Sequence, residues 1–281
     1  MTMNSELFIL FVLGLGVGSF LTLVSNRIDT AESILVGRSH CNHCKEILRW
    51  WELVPFVSFV LLQGRCIRCK KQIPPLYPFF ELITALTFVG LRLAYPATPN
   101  YWIFGGELVF VSLLLILFFY DVVHQAFPTS VLFIALGWAV IISIVKELAS
   151  APLHLGSSLQ AAGWWFLAEP SHHLLSSLAG GIVGAGLLGL IAFPSKGLWM
   201  GYGDVILAGI LGIWLGYPFI IITILAAFYS GAIIGGIQLA TKRLRPDHRI
   251  AFGPFLIVGA LITTVWGDGI LLYLFQLWGI V

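Results

Sequence analysis

Apolar residues in this chain fall in long, nearly unbroken runs, and polar residues gather in the gaps between them. Eight runs approach the roughly 20 residues that a helix needs to cross a bilayer. They lie at about 6–25, 77–96, 102–120, 129–146, 174–194, 204–217, 218–241 and 254–278. The sixth is short and interrupted by glycine. The pattern predicts an all-α, polytopic membrane bundle of about eight transmembrane helices. The first run does not read as a signal peptide, because Glu6 is the only charge before Arg27 and no clear cleavage site follows.

The gaps differ in charge. Eight of the fifteen Lys and Arg residues fall in 26–76, four more in 242–249, and Lys196 precedes the sequence GYGD. Basic loops stay on the cytoplasmic side, so these three regions are expected there. The N-terminus, the segment 147–173 and the C-terminus are expected on the other side. Arg92, near the far end of the second run, is the one misfit. The segment 147–173, with Trp164 and Trp165, reads as an interfacial loop anchored by aromatic residues. No repeat or low-complexity tract is evident.

Composition sharpens the class. The chain is 59% hydrophobic and 10% charged, where soluble proteins carry about 25% charged residues. A net charge of +2 gives no sign of a nucleic-acid partner, and none is expected; membrane lipid is. Three parts are expected: a first transmembrane helix at 1–25, a cytoplasmic metal-binding loop at 26–76, and a transmembrane core at 77–281.

All four cysteines lie in that loop, as CNHC at 41–44 and CIRC at 66–69. Each C-x-x-C aims two thiolates at one point, and two such knuckles make the closed tetrahedral sulfur set of structural zinc. A reducing cytoplasm disfavours the disulfide alternative. Cys41, Cys44, Cys66 and Cys69 are the expected ligands of one structural zinc. His43 is a weaker substitute ligand, and His40 reads as a solvated loop residue.

Five acids lie at or inside apolar runs: Glu81, Glu107, Asp121, Asp204 and Asp268. A carboxylate at membrane depth is costly and usually has a partner or a task. Asp121 closes one run, and Asp204 opens another behind Gly201 and Gly203. In the expected topology both sit at the mouths of helices on one membrane face. Two adjacent carboxylates share a proton, which suits one to act as general base on water and the other as acid. The two glycines are expected to supply φ > 0 and room for an extended substrate. The plainer readings are a helix cap at Asp204 and an interfacial acid at Asp121.

Taken together, GSFLTLVSNR (18–27), the paired C-x-x-C knuckles, PPLYPFFELITAL (74–86), Asp121 with Pro128, GYGD (201–204) and FGPFLIVGAL (252–261) resemble the type IV prepilin peptidases, in order and over nearly the whole chain. The resemblance implies an intramembrane aspartic endopeptidase of the bacterial inner membrane, multi-pass, with its active site facing the cytoplasm. Asp121 and Asp204 would form the catalytic pair. The substrates would be type IV prepilins or pseudopilins, cut after a glycine. Many members also methylate the new N-terminus with S-adenosylmethionine, and Glu81 falls where an acid is assigned to substrate recognition or methyl transfer. Thr22, Thr129, Ile206 and Ala251 depart from the usual Asn, acid, Lys and Pro. The competing classes are another GxGD intramembrane protease, which would lack the double knuckle, and a non-catalytic scaffold or transporter, for which midplane polar residues in related halves are missing.

Overall fold

The computed structural model describes residues 3–28, 39–41, 43–95, 100–149, 173–241 and 251–277. Most of the 147–173 segment and the basic stretch 242–249 lie outside the described residues. Among the described residues the regular structure is helical, apart from two isolated β-bridges. Among the described residues seven helices are long and apolar enough to cross a membrane, as befits an integral membrane protein. The chain divides into two compact units, Met1–Arg92 and Leu93–Val281.

The N-terminal unit holds α1 (Met3–Arg27), a 3₁₀ turn (Trp50–Leu53), the short α2 (Val57–Leu61) and α3 (Leu76–Ala94). Helices in lipid gain from close van der Waals approach, which small residues permit. Gly14 and Gly18, one turn apart on α1, meet α3 in this way. A Cβ on Gly14 would lie 2.5 Å from the Ala85 Cα, and one on Gly18 would lie 2.8 Å from the Glu81 Cα. At the far end of this antiparallel pair Arg92 donates to Glu6 Oε2 from both Nε (3.1 Å) and Nη2 (2.9 Å). The basic residue that fits the charge pattern poorly is therefore ion-paired inside the unit.

The C-terminal unit holds α4 (Tyr101–His124), α5 (Thr129–Leu148), α6 (His173–Ala192), α7 (Tyr202–Leu215), α8 (Phe219–Ala240) and α9 (Gly253–Leu277). The Asn100 side chain caps α4 by accepting from Trp102 N–H, and Gln125, with φ 54°, ends it in a left-handed turn. Helix α7 packs against α5, α6, α8 and α9 and reaches α4 through side chains.

Its 14 residues span only about 21 Å, short of a hydrocarbon core about 30 Å thick. The turn that follows therefore needs partners within the protein. Tyr217 N–H donates to the Ser176 carbonyl (3.0 Å), and Ser176 Oγ donates to the Tyr217 carbonyl (3.1 Å). Gly180 and Gly212 pack backbone against backbone, so α6 and α7 approach closely.

Candidate active site and metal centre

Asp121, in the last turn of α4, and Asp204, in the first turn of α7, come together at one end of the C-terminal unit, near enough for their charges to interact. Both are buried, at 3% and 8% exposure. Asp121 accepts from the backbone N–H of Gly253, the first residue of α9. Asp204 accepts from the backbone N–H of Gly201. Two further carboxylate oxygens, Asp121 Oδ2 and Asp204 Oδ1, are buried without a hydrogen-bond partner among the described residues. Buried polar atoms are nearly always satisfied, so two open oxygens in one spot mark a place for a water, a shared proton or a substrate atom.

The glycines of GYGD do not act as the sequence suggested. Gly201 is the helix N-cap, with φ −69° and ψ 145°. Gly203 lies in the first turn of α7, and neither has positive φ. Asp204 sits three residues inside the helix, so it is not the N-cap. Space, not φ, requires a glycine at 203. A Cβ there would lie 2.6 Å from Cδ2 of Phe127, and Gly253 meets the tip of the same ring and Asp121 Oδ2. The ring of Phe127 is thus wedged between the two glycines that flank the carboxylates, and it fills the room assigned to substrate beside Gly203.

In the N-terminal unit the four thiols converge, with all their sulfurs within 4.8 Å of one another. Cys41 and Cys69 Sγ lie 3.9 Å apart. A tetrahedron with metal–sulfur bonds of about 2.3 Å has sulfurs about 3.8 Å apart, so the set fits a metal ion. The two knuckles repeat one fold. Cys41 N–H donates to the Glu46 carbonyl and Lys45 N–H to the Cys41 carbonyl, while Cys66 and Lys70 do the same with Lys71 and Cys66. Lys45 and Lys70 both adopt positive φ, at 57° and 59°. This local duplication was readable in CNHCK and CIRCK, although no repeat is evident at larger scale. Arg68 of the second knuckle donates to the Ile47 carbonyl beside the first (2.9 Å).

Without a cation the thiols compete for protons. Burial acts to raise Cys41, but hydrogen bonds from the Cys44 and His43 backbone and from neighbouring thiols bring it down to about 7. At Cys44 a backbone hydrogen bond from Glu46 acts downward, yet burial and the thiol contacts push it up to about 11. One thiolate is favoured at another thiol's expense, and a bound cation relieves that conflict.

Glu81 is held by hydrogen bonds within the N-terminal unit. It is 8% exposed, accepts from Phe56 N–H (2.7 Å) and is also hydrogen-bonded by the Ser19 side chain. It lines a cavity of about 800 Å³ within the N-terminal unit, with Ser19, Asn26, Arg27, Ser58 and Tyr77.

Residues 12–95 match the bacterial peptidase A24 N-terminal domain, and residues 108–236 match the type IV leader peptidase family. A prepilin leader peptidase/N-methyltransferase of Stutzerimonas stutzeri is 30% identical, over 92% of this chain and 90% of its own. That of Bacillus subtilis is 27% identical over 94% and 95%, and that of Legionella pneumophila 31% over 88% and 78%. The chain belongs to the type IV leader peptidase family. No solved structure matches it.

Of the positions that depart from the usual leader peptidase pattern, Thr22 has an evident local role and Ile206 has no structural explanation. Thr22 donates to the Gly18 carbonyl (2.8 Å) and its own carbonyl accepts from Asn26. Ile206 is partly exposed on α7. Gly253 and Phe127 are site residues that motif reading did not assign. FGPF was visible as a motif and Phe127 stood beside Pro128, but neither betrayed a place beside the GYGD glycines and the carboxylates.

Proposed function

We propose that this leader peptidase is an intramembrane aspartic endopeptidase that removes the leader of type IV prepilins or pseudopilins after a glycine, at the cytoplasmic face of the bacterial inner membrane. The supporting observation is the meeting of Asp121 and Asp204 with a buried, unpartnered oxygen on each. In the working state one carboxylate is ionised and the other protonated, because adjacent charges cannot both persist cheaply. The ionised one takes a proton from water as the water oxygen bonds to the scissile carbonyl carbon. The protonated one gives its proton to the carbonyl oxygen. The resulting diol collapses as the second carboxylate takes back a proton from one of its hydroxyls, the C–N bond breaks, and the first carboxylate gives its proton to the leaving amine, which restores the pair. Gly253 N–H, at a helix N-terminus, steadies charge on Asp121.

The four cysteines would hold zinc, which has no open position in such a set and acts structurally. Transfer of a methyl group from S-adenosylmethionine to the new N-terminus is a second proposed activity. The cavity beside Glu81 has a volume suited to such a ligand.

Co-expression with a type IV prepilin, followed by mass spectrometry of the pilin N-terminus, tests both activities. Loss of the leader is expected with the native chain, and an intact leader with Asp121→Asn or Asp204→Asn. Normal processing by either variant would sink the aspartate mechanism. A 14 Da increment on the processed N-terminus would report methylation separately.

A further inference from the structure

Glu107 takes no part in the chemistry above, yet it is fully buried. It lies near the start of α4, and Asp121 lies near that helix's end. Glu107 Oε1 pairs with Lys146 Nζ of α5 (2.5 Å), and Oε2 accepts from Trp214 Nε1 of α7 (2.6 Å). The buried Tyr95 hydroxyl lies near enough to feel the same carboxylate. The Trp214 ring also packs on Phe110, one turn along α4, with centroids 5.0 Å apart. A buried ion pair is weak evidence for stability as such, since apolar replacements are often neutral or better. Its hydrogen bonds do fix geometry.

That geometry falls on the two helices that carry the aspartates. Helices α4 and α7 run antiparallel. Asp121 lies about 21 Å along α4 from Glu107, and Asp204 about 15 Å along α7 from Trp214. Helices α5 and α9 pack against both α4 and α7, and side chains bridge the pair at each end. One bridge is the carboxylate pair. The other is Glu107–Trp214, anchored through Lys146. Helix α7 is short, and sliding along its axis would carry Asp204 with it.

We propose that Glu107, Lys146 and Trp214 form a positioning cluster that pins the axial register of α7 against α4 and so sets the spacing of Asp121 and Asp204. The proposal rests on the aspartate mechanism above.

The test replaces the pair by apolar side chains of similar size, Glu107→Leu with Lys146→Met. This variant should fold with Tm at or above that of the native chain. Its kcat on a purified prepilin should fall about tenfold or more with KM little changed, as expected for a displaced catalytic group. Amide hydrogen exchange in 201–205 should become faster. Trp214→Phe, which keeps the ring and removes its N–H, should lower kcat less. Trp138→Phe is the control. Its N–H donates to the Gly106 carbonyl (2.9 Å), a bond between α5 and α4 in which Glu107, Lys146 and Trp214 take no part, so native kcat is expected. Native kcat in the Leu/Met variant, or a loss matched by an equal fall in Tm, would overturn the proposal. If Asp121→Asn still cleaves, the aspartate mechanism fails by itself. Exchange in 201–205 then decides whether the cluster pins α7: faster exchange upholds the pin, and unchanged exchange removes it.

Discussion

The four thiols of the N-terminal unit come from two stretches of four residues, each closed by its own turn. The two carboxylates of the C-terminal unit arrive on separate helices, and their surroundings draw on α9 and on the turn after α4 as well. The first centre is local: each knuckle shapes itself, and joining two of them completes the set. The second is a product of packing, and it exists only when the helices hold their register. A local centre tolerates change elsewhere in the chain but is sensitive to loss of its ligands. A packed centre can be disturbed from well outside its chemistry.

The largest expected effect lies at the packed centre. Asp121→Asn and Asp204→Asn should each lower cleavage of a prepilin about 10³-fold or more, and the double variant should be no worse than either, because the pair acts as a unit. Additive losses in steady-state kinetics would show that the two act separately.

Steric change beside the pair comes next. Gly203→Ala drives a methyl into the Phe127 ring, and overpacking of this kind costs about 1–3 kcal/mol. Cleavage and Tm should both fall. Adding Phe127→Ala to Gly203→Ala should recover much of the loss, since the ring is what the methyl strikes. Failure of that rescue would mean that the glycine serves something other than the wedge.

At the local centre, Cys66→Ser with Cys69→Ser should take bound zinc from about one per chain to near none, as read by elemental analysis. Limited proteolysis should open the segment 39–73, because metal binding supplies much of such a module's folding energy. The helices of the C-terminal unit should keep their protection. Their collapse in the same variant would erase the contrast between the two centres.

The smallest effect is expected at Glu81. Glu81→Gln keeps an acceptor for Phe56 N–H, so Tm should scarcely move while methylation slows several-fold. Unchanged methylation would remove Glu81 from the methyl-transfer proposal.

How far each feature could be read from the sequence follows the same division. Membrane helices announce themselves through length and apolarity, and the expected runs differ from the observed helices by only a few residues at their ends. The cysteine set was legible because its spacing is its geometry. Asp121 and Asp204 stood out because carboxylates are rare at membrane depth. Phe127, Gly253 and the Glu107–Trp214 link were not legible, since nothing in a linear string says which turn of one helix meets which turn of another. The glycines of GYGD misled for a related reason. Sequence suggests conformational freedom wherever glycine appears, whereas here Gly203 is needed for the absence of a side chain opposite a ring supplied from another segment.

The Arg92–Glu6 pair bears on biogenesis. A guanidinium left alone at the far end of α3 would burden insertion of that helix, and a carboxylate at the start of α1 carries its own smaller penalty. Held together at 2.9 Å, the two make the far end of the helix pair net-neutral. Helices α1 and α3, distant in sequence because the cysteine module separates them, therefore have an electrostatic reason to enter the bilayer as partners. Charge reversal at both positions should preserve insertion, while reversal at one should leave the helix pair stalled or inverted.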